Sequence, residues 1–154
     1  MIYKAIDVAN YVLAYYSDKT EDNLPIYTGV SVYKLQKILY FLQANHLCNS
    51  NKSLFCDDMK AVGFGILVQE VFDEYKGYGG GTIYLSKNKI KKYENKIYNE
   101  DKELMNGMLD LSKNYSNSFL TDIIQRQTPW KNAYYKHDDK IIKNEDLIEF
   151  FSED

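Results

Sequence analysis

One arginine, Arg126, stands among the 19 basic residues of this 154-residue chain. The fork-shaped guanidinium that grips phosphates in two places is therefore almost missing, and the basic charge is carried by lysine. With a formal net charge of −3, general nucleic-acid binding is not expected, since it normally leaves a basic domain. Two cysteines, Cys48 and Cys56, are too few for a disulfide framework and read as ordinary thiols of a reducing compartment. No run of eighteen apolar residues occurs, so no membrane-spanning helix is expected. The opening Met1-Ile2-Tyr3-Lys4-Ala5-Ile6-Asp7 carries an early acid and lacks the apolar core of a signal peptide, so a cytoplasmic location is expected.

What is present is apolar and aromatic. Forty-five per cent of residues are apolar, which marks a globular chain, and the length suits one domain spanning residues 1–154. Fifteen tyrosines are an excess. Lys, Asn, Ile and Tyr share A/T-rich codons, so genome base composition accounts for it. The functional alternative is a binding surface, because tyrosine offers a large rigid contact with a polar tip.

The organising stretch is Ser31 to Cys48. At about 100° per residue, Val32, Leu35, Ile38, Leu39, Leu42 and His46 share one arc. Tyr33, Tyr40, Ala44 and Leu47 form a second arc, with Gln36 and Gln43 between the two. Lys34, Lys37 and Asn45 are left to face water, beside Phe41. A helix apolar on nearly every side is a central helix, with Ser31 as its N-cap. Gln36 is placed to satisfy buried backbone groups.

Around it, Ile2 to about Ser17 reads as a first helix, and Asp18 to Gly29, with Pro25, as a loop. Met59 to Val62 is either extended or irregular. Gly63 and Gly65 frame Phe64 and suggest a sharp turn or a close backbone approach. Ile66 to Tyr75 has helical spacing, ended by Gly77. Thr82 to Leu85 reads as a short strand and Ser86 to Tyr98 as a lysine-rich flank. Further helices are expected from about Glu100, from Ser118 to Gln127, from Thr128-Pro129 and from Asn144. The fold class is mainly α: a compact helical domain around the buried helix 31–48, with small strands or one short hairpin.

No constellation points to catalysis. His46, Cys48, Cys56 and His137 lack zinc-site spacing, and His46 lies on the apolar arc. Gly77 to Gly81 follows a helix without opening another, so it is no phosphate loop. No nucleophile elbow or zincin motif occurs. Glu70, Asp73 and Glu74 share one polar helix face and read as solvated. Lysines from Lys87 to Lys96 interleave with Tyr84, Tyr93 and Tyr98, a pattern able to hold a single strand but lacking arginine.

Several motifs stand in the order of a known family. Leu35-Gln36-Lys37-Ile38-Leu39-Tyr40 comes first, then Lys52-Ser53-Leu54-Phe55 with Asp57 or Asp58 behind it. Ala61, Phe64, Gly65, Glu70, Val71 and Phe72 follow in a segment where Val62, Ile66 and Gln69 replace a Trp and two Pro of the family pattern. Leu120 through Thr128-Pro129-Trp130 and Ala133, then Ile142 through Phe151, complete the set. Together these resemble the Panacea domain of the SocA-like antitoxins, also described as GepA-like phage-associated proteins, as a divergent member. The resemblance implies a helical domain without enzymatic activity or cofactor, which binds and neutralises a toxin encoded beside it. Some members hand the toxin to a AAA+ protease.

The expected function is therefore an antitoxin-like binding module acting by occlusion, with a toxin or host protein as partner. The alternatives are a phage or mobile-element protein that inhibits a host defence or regulatory protein, and a nucleic-acid-binding accessory protein. Expected partner-contact residues are Gln36, Lys37, Tyr40, Phe64, Gly65, Glu70 and Trp130. For the buried types among them, maintenance of the fold is the competing role.

Overall fold

The computed structural model describes residues 2–19 and 25–152. Its elements in chain order are α1 (Ala5–Tyr16), β1 (Ile26–Ser31), α2 (Val32–Ser50), β2 (Lys60–Val62), β3 (Gly65–Leu67), α3 (Gln69–Tyr75), a 3₁₀ turn (Lys76–Tyr78), β4 (Thr82–Leu85), α4 (Lys87–Glu94), α5 (Asn99–Ser112), α6 (Asn117–Gln125), α7 (Thr128–Lys136) and α8 (Asn144–Phe151). The fold is mainly helical, with two small antiparallel sheets, β1–β4 and β2–β3.

The central element is α2. Ser31 Oγ accepts from Lys34 N at 3.1 Å, so the expected N-cap is real. The helix runs to Ser50 and stops at Asn51, whose left-handed backbone (φ 58°) lets its N–H bond Leu47 O. Both apolar arcs are covered: Val32, Leu35, Ile38, Leu39, Tyr40, Leu42, Ala44 and Leu47 are all buried. Elements α1, α3, α5, α6, α8, β1 and β3 pack around them. Two positions differ from the wheel. Lys37 is fully buried rather than solvated, because α6 and the β2–β3 hairpin close over its side of α2. His46 is half-exposed near the helix end, its Nδ1 2.7 Å from Lys52 O.

The expected loop from Asp18 to Gly29 is corrected in its second half, and residues 20–24 lie outside the described ones. β1 pairs with β4 through Ile26 with Leu85, Tyr27 with Tyr84 and Ser31 with Thr82. Ile26, Thr28 and Val30 point inward while Tyr27 and Gly29 point out. Pro25 and Gly29 masked this period-two pattern; Gly29, at φ +72°, sits where the register shifts between Tyr27 and Ser31.

The reading of helix from Ile66 is also corrected. Ile66 and Leu67 belong to β3, which pairs with β2 through Lys60–Leu67, Ala61–Ile66 and Val62–Gly65. Helical spacing starts at Gln69, after a tight turn at Gly63-Phe64 and an extended Val68. Gly77 lies in the 3₁₀ turn, and the left-handed glycine is Gly79 (φ 59°). Helices α7 and α8 start at Thr128 and Asn144, the expected positions.

Tyrosines fasten α1 to α5. Tyr11 donates to Asn106 Oδ1 (2.6 Å), Tyr15 to Asp110 Oδ1 (2.6 Å) and Tyr16 to Leu109 O (2.5 Å). Tyr3, just before α1, donates to Asp101 at the α5 start. Much of the tyrosine excess of the N-terminal region is thus spent on internal contacts.

Candidate functional site

The β2–β3 hairpin carries a single aromatic at its tip and rests on α2, α6 and α7. Its backbone is held at three carbonyl or amide groups by side chains. Gln125 Nε2 on α6 donates to Gly63 O (2.8 Å), and Trp130 Nε1 on α7 donates to Gly65 O (2.7 Å). Just past β3, Val68 N donates to Gln36 Oε1 on α2 (2.6 Å). Trp130 is itself clamped by Tyr134, stacked at 4.5 Å between centroids.

Lys37 runs beneath the hairpin. Its Nζ donates to Tyr33 O (3.2 Å) and to Asn117 Oδ1 (2.7 Å). No carboxylate lies within ion-pair distance of it among the described residues, and burial pushes its pKa down to about 8. Gly65 is required directly above: a Cβ there would lie 2.7 Å from Lys37 Cε, and its backbone has φ +121°. One turn along α2, Tyr40 donates to Gln127 Oε1 (2.7 Å), and burial pushes the phenol well above its ordinary pKa.

Phe64 stands on top of this scaffold and is exposed. It meets Tyr33 edge-on at 5.1 Å and stacks on Phe72 at 6.0 Å; Tyr33 and Phe72 are 6.0 Å apart. Asn117, which holds Lys37, lies between Tyr115 and Phe119, an exposed pair stacked at 5.0 Å. Glu70 is exposed at the start of α3. It faces a cleft of about 630 Å³ that it shares with Asp57, Asp58, Asp73 and Glu74, with Lys60 as the basic group.

The structure thus brings five of the seven expected residues, Gln36, Lys37, Tyr40, Gly65 and Trp130, into or beside one buried polar network. Phe64 is presented by that network, and Glu70 lies apart on the acidic side. Sequence reasoning did not single out Asn117, Gln125 or Gln127, ordinary polar residues whose partners are 60 to 90 positions away. Tyr33 was legible only as an aromatic on a helix, and Phe72 also as a position of the family pattern. His46, Cys48, Cys56 and His137 are not gathered into a metal-holding group among the described residues. Chemically, the arrangement presents an apolar anchor on a stiff base, because its polar groups are consumed internally, except Gln36 Nε2, which is buried without a hydrogen-bond partner among the described residues.

A family model described as "Antitoxin SocA-like, Panacea domain" matches residues 35–131, well over half of the chain and inclusive of all seven expected contact residues. The chain belongs to that family. No curated protein and no solved structure matches it.

Proposed function

We propose that this SocA-like Panacea protein is an antitoxin-like binding module that neutralises a co-encoded toxin by covering the toxin's working surface. The observation that carries the reading is Phe64: an exposed aromatic held by a buried network inside the family-matched segment. Natural interfaces concentrate their energy in such aromatic anchors, packed centrally and surrounded by contacts that exclude water. Tyr33 and Phe72 give Phe64 a continuous aromatic footing, and Tyr115 with Phe119 extends the apolar area past Asn117. An interface of roughly 1,600 Å² in total is enough to occlude an active site without chemistry of its own. In this reading Gln36 and Trp130 hold the hairpin backbone, Gly65 seats it on Lys37, and Tyr40 fixes Gln127 beside the α7 start, while Phe64 touches the partner.

The test is co-expression with the product of the adjacent gene, scoring growth and co-purification together. Rescue with a stable complex is the expected result. Phe64→Ser should abolish both while the protein stays folded, with a stability loss of about 1–2 kcal/mol from the ring contacts to Tyr33 and Phe72. Rescue without a complex would replace occlusion by an indirect route such as delivery to a protease. A harmless neighbour with no complex would turn the search to a host protein.

A further inference from the structure

A second concavity lies away from the hairpin, where β1 meets the first turn of α2. It holds about 270 Å³ and is lined by Tyr16, Tyr27, Thr28 to Val30, Lys34 and Lys113. Among the described residues no carboxylate lines it. Two neutral polar groups around it are already engaged: Tyr16 donates to Leu109 O, and Thr28 Oγ1 donates to Ile83 O while accepting from Val30 N. Neither ammonium has a hydrogen-bond or ion-pair partner among the described residues, although Lys34 is half-buried. Desolvation lowers the Lys34 pKa, the signature of a cation not compensated by a neighbour.

We infer that this cavity is a phosphate-binding site, in which Lys34 and Lys113 receive the anion. Two lysines lining one cavity, with no acid among its described lining residues, supply the charge-assisted contacts a phosphate needs, and lysine serves as its point-charge binder. The volume is below the roughly 300–1,000 Å³ of drug-sized pockets, so the phosphate group itself, with little else, fits inside. The mouth adds a second feature. At the Gly29 bulge the Tyr27 ring lies over the glycine, its Cε2 3.3 Å from where a Cβ would stand. Tyr27 pairs with Tyr84 at 5.9 Å, and both remain exposed. An aromatic wall beside a phosphate pocket is a stacking surface for a base. The phosphate is therefore either free inorganic phosphate or that of a mononucleotide.

The experiment is calorimetric titration of the full chain with inorganic phosphate, adenosine 5′-monophosphate and adenosine, at constant ionic strength. Phosphate and the monophosphate should bind and adenosine should not. Lys34→Met and Lys113→Met should each weaken binding about tenfold or more, and Lys34→Arg should retain most of it. A monophosphate that binds tighter than phosphate, with the increment lost in Tyr27→Ala, identifies a nucleotide as the source. Equal affinities identify free phosphate. No binding at millimolar anion, or equal binding by the parent and both methionine variants, overturns the site. Lys113 is exposed, so Lys113→Met is informative even where Lys34→Met fails to fold.

Discussion

Gln36 and Gln43, two turns apart on α2, do for neighbouring segments what secondary structure does elsewhere. Gln43 Oε1 accepts from Leu54 N (2.7 Å) and Phe55 N (3.2 Å), and its Nε2 donates to Phe55 O (2.9 Å). Gln36 does half of this: its Oε1 accepts from Val68 N (2.6 Å), while its Nε2 is buried without a hydrogen-bond partner among the described residues. A buried backbone amide deprived of its acceptor keeps its full desolvation cost. Gln36→Leu should therefore lower stability by about 1–3 kcal/mol in urea unfolding; an unchanged midpoint would mean the amide finds another acceptor. Lys37 makes a prediction of opposite sign. Its folded pKa, about 8, lies below the ordinary lysine value, so between the two the unfolded chain holds the extra proton. Stability then rises with pH from about 8 to about 10. Above about 10 it falls, because Tyr3, Tyr16, Tyr40 and Tyr75 have raised pKa values and stay protonated when folded while their unfolded counterparts ionise. Lys37→Met should remove most of the rise and leave the fall. A profile of the same shape in that variant would assign the rise to another group.

Among the elements, the hairpin shows how closely two segments approach. Gly65 combines φ +121° with Lys37 Cε beneath it, so Gly65→Ala meets both backbone strain and overlap. The expected loss is about 1–3 kcal/mol from the backbone conformation alone. In a Lys37→Ala background the overlap disappears and the backbone part remains, so the two changes should be less than additive in denaturant unfolding. Full additivity would show that lysine and glycine do not meet. The N-terminal helix is fixed differently. Lys4 provides no side-chain cap for α1; instead Asp57 Oδ1 accepts from Ala5 N at 2.8 Å. Tyr11, Tyr15 and Tyr16 then bolt its far face to α5. No local pattern in either segment predicts these bonds, because each joins residues more than 50 positions apart.

At the scale of the molecule, α2 is the part on which the other elements depend. Leu39, fully buried on its main apolar arc, should cost about 2–5 kcal/mol as Leu39→Ala, measured by thermal or urea unfolding. A cost below about 0.5 would place Leu39 at a surface and is incompatible with this packing. The family-matched segment, 35–131, begins inside α2 and ends in α7, so it contains most of the helix, the hairpin and all three clamps on the hairpin backbone. Elements α1 and α8, outside that segment, pack directly on α2.

The central helix, its Ser31 cap, the mainly helical class and the turn at Gly63-Phe64-Gly65 were determined by the sequence alone. Each depends on local periodicity or on a residue's own conformational limits, which act over a few positions. Tertiary structure decided the rest. Lys37 became a buried cation because α6 and the hairpin cover it, although a lysine between polar neighbours reads as solvated. Ile66 and Leu67 became strand rather than helix because β2 pairs with them. The site itself exists only after folding, since its hydrogen bonds run between α2, the hairpin, α6 and α7. A polar side chain carries no sign of its partner in the sequence; packing determines which buried group it must satisfy.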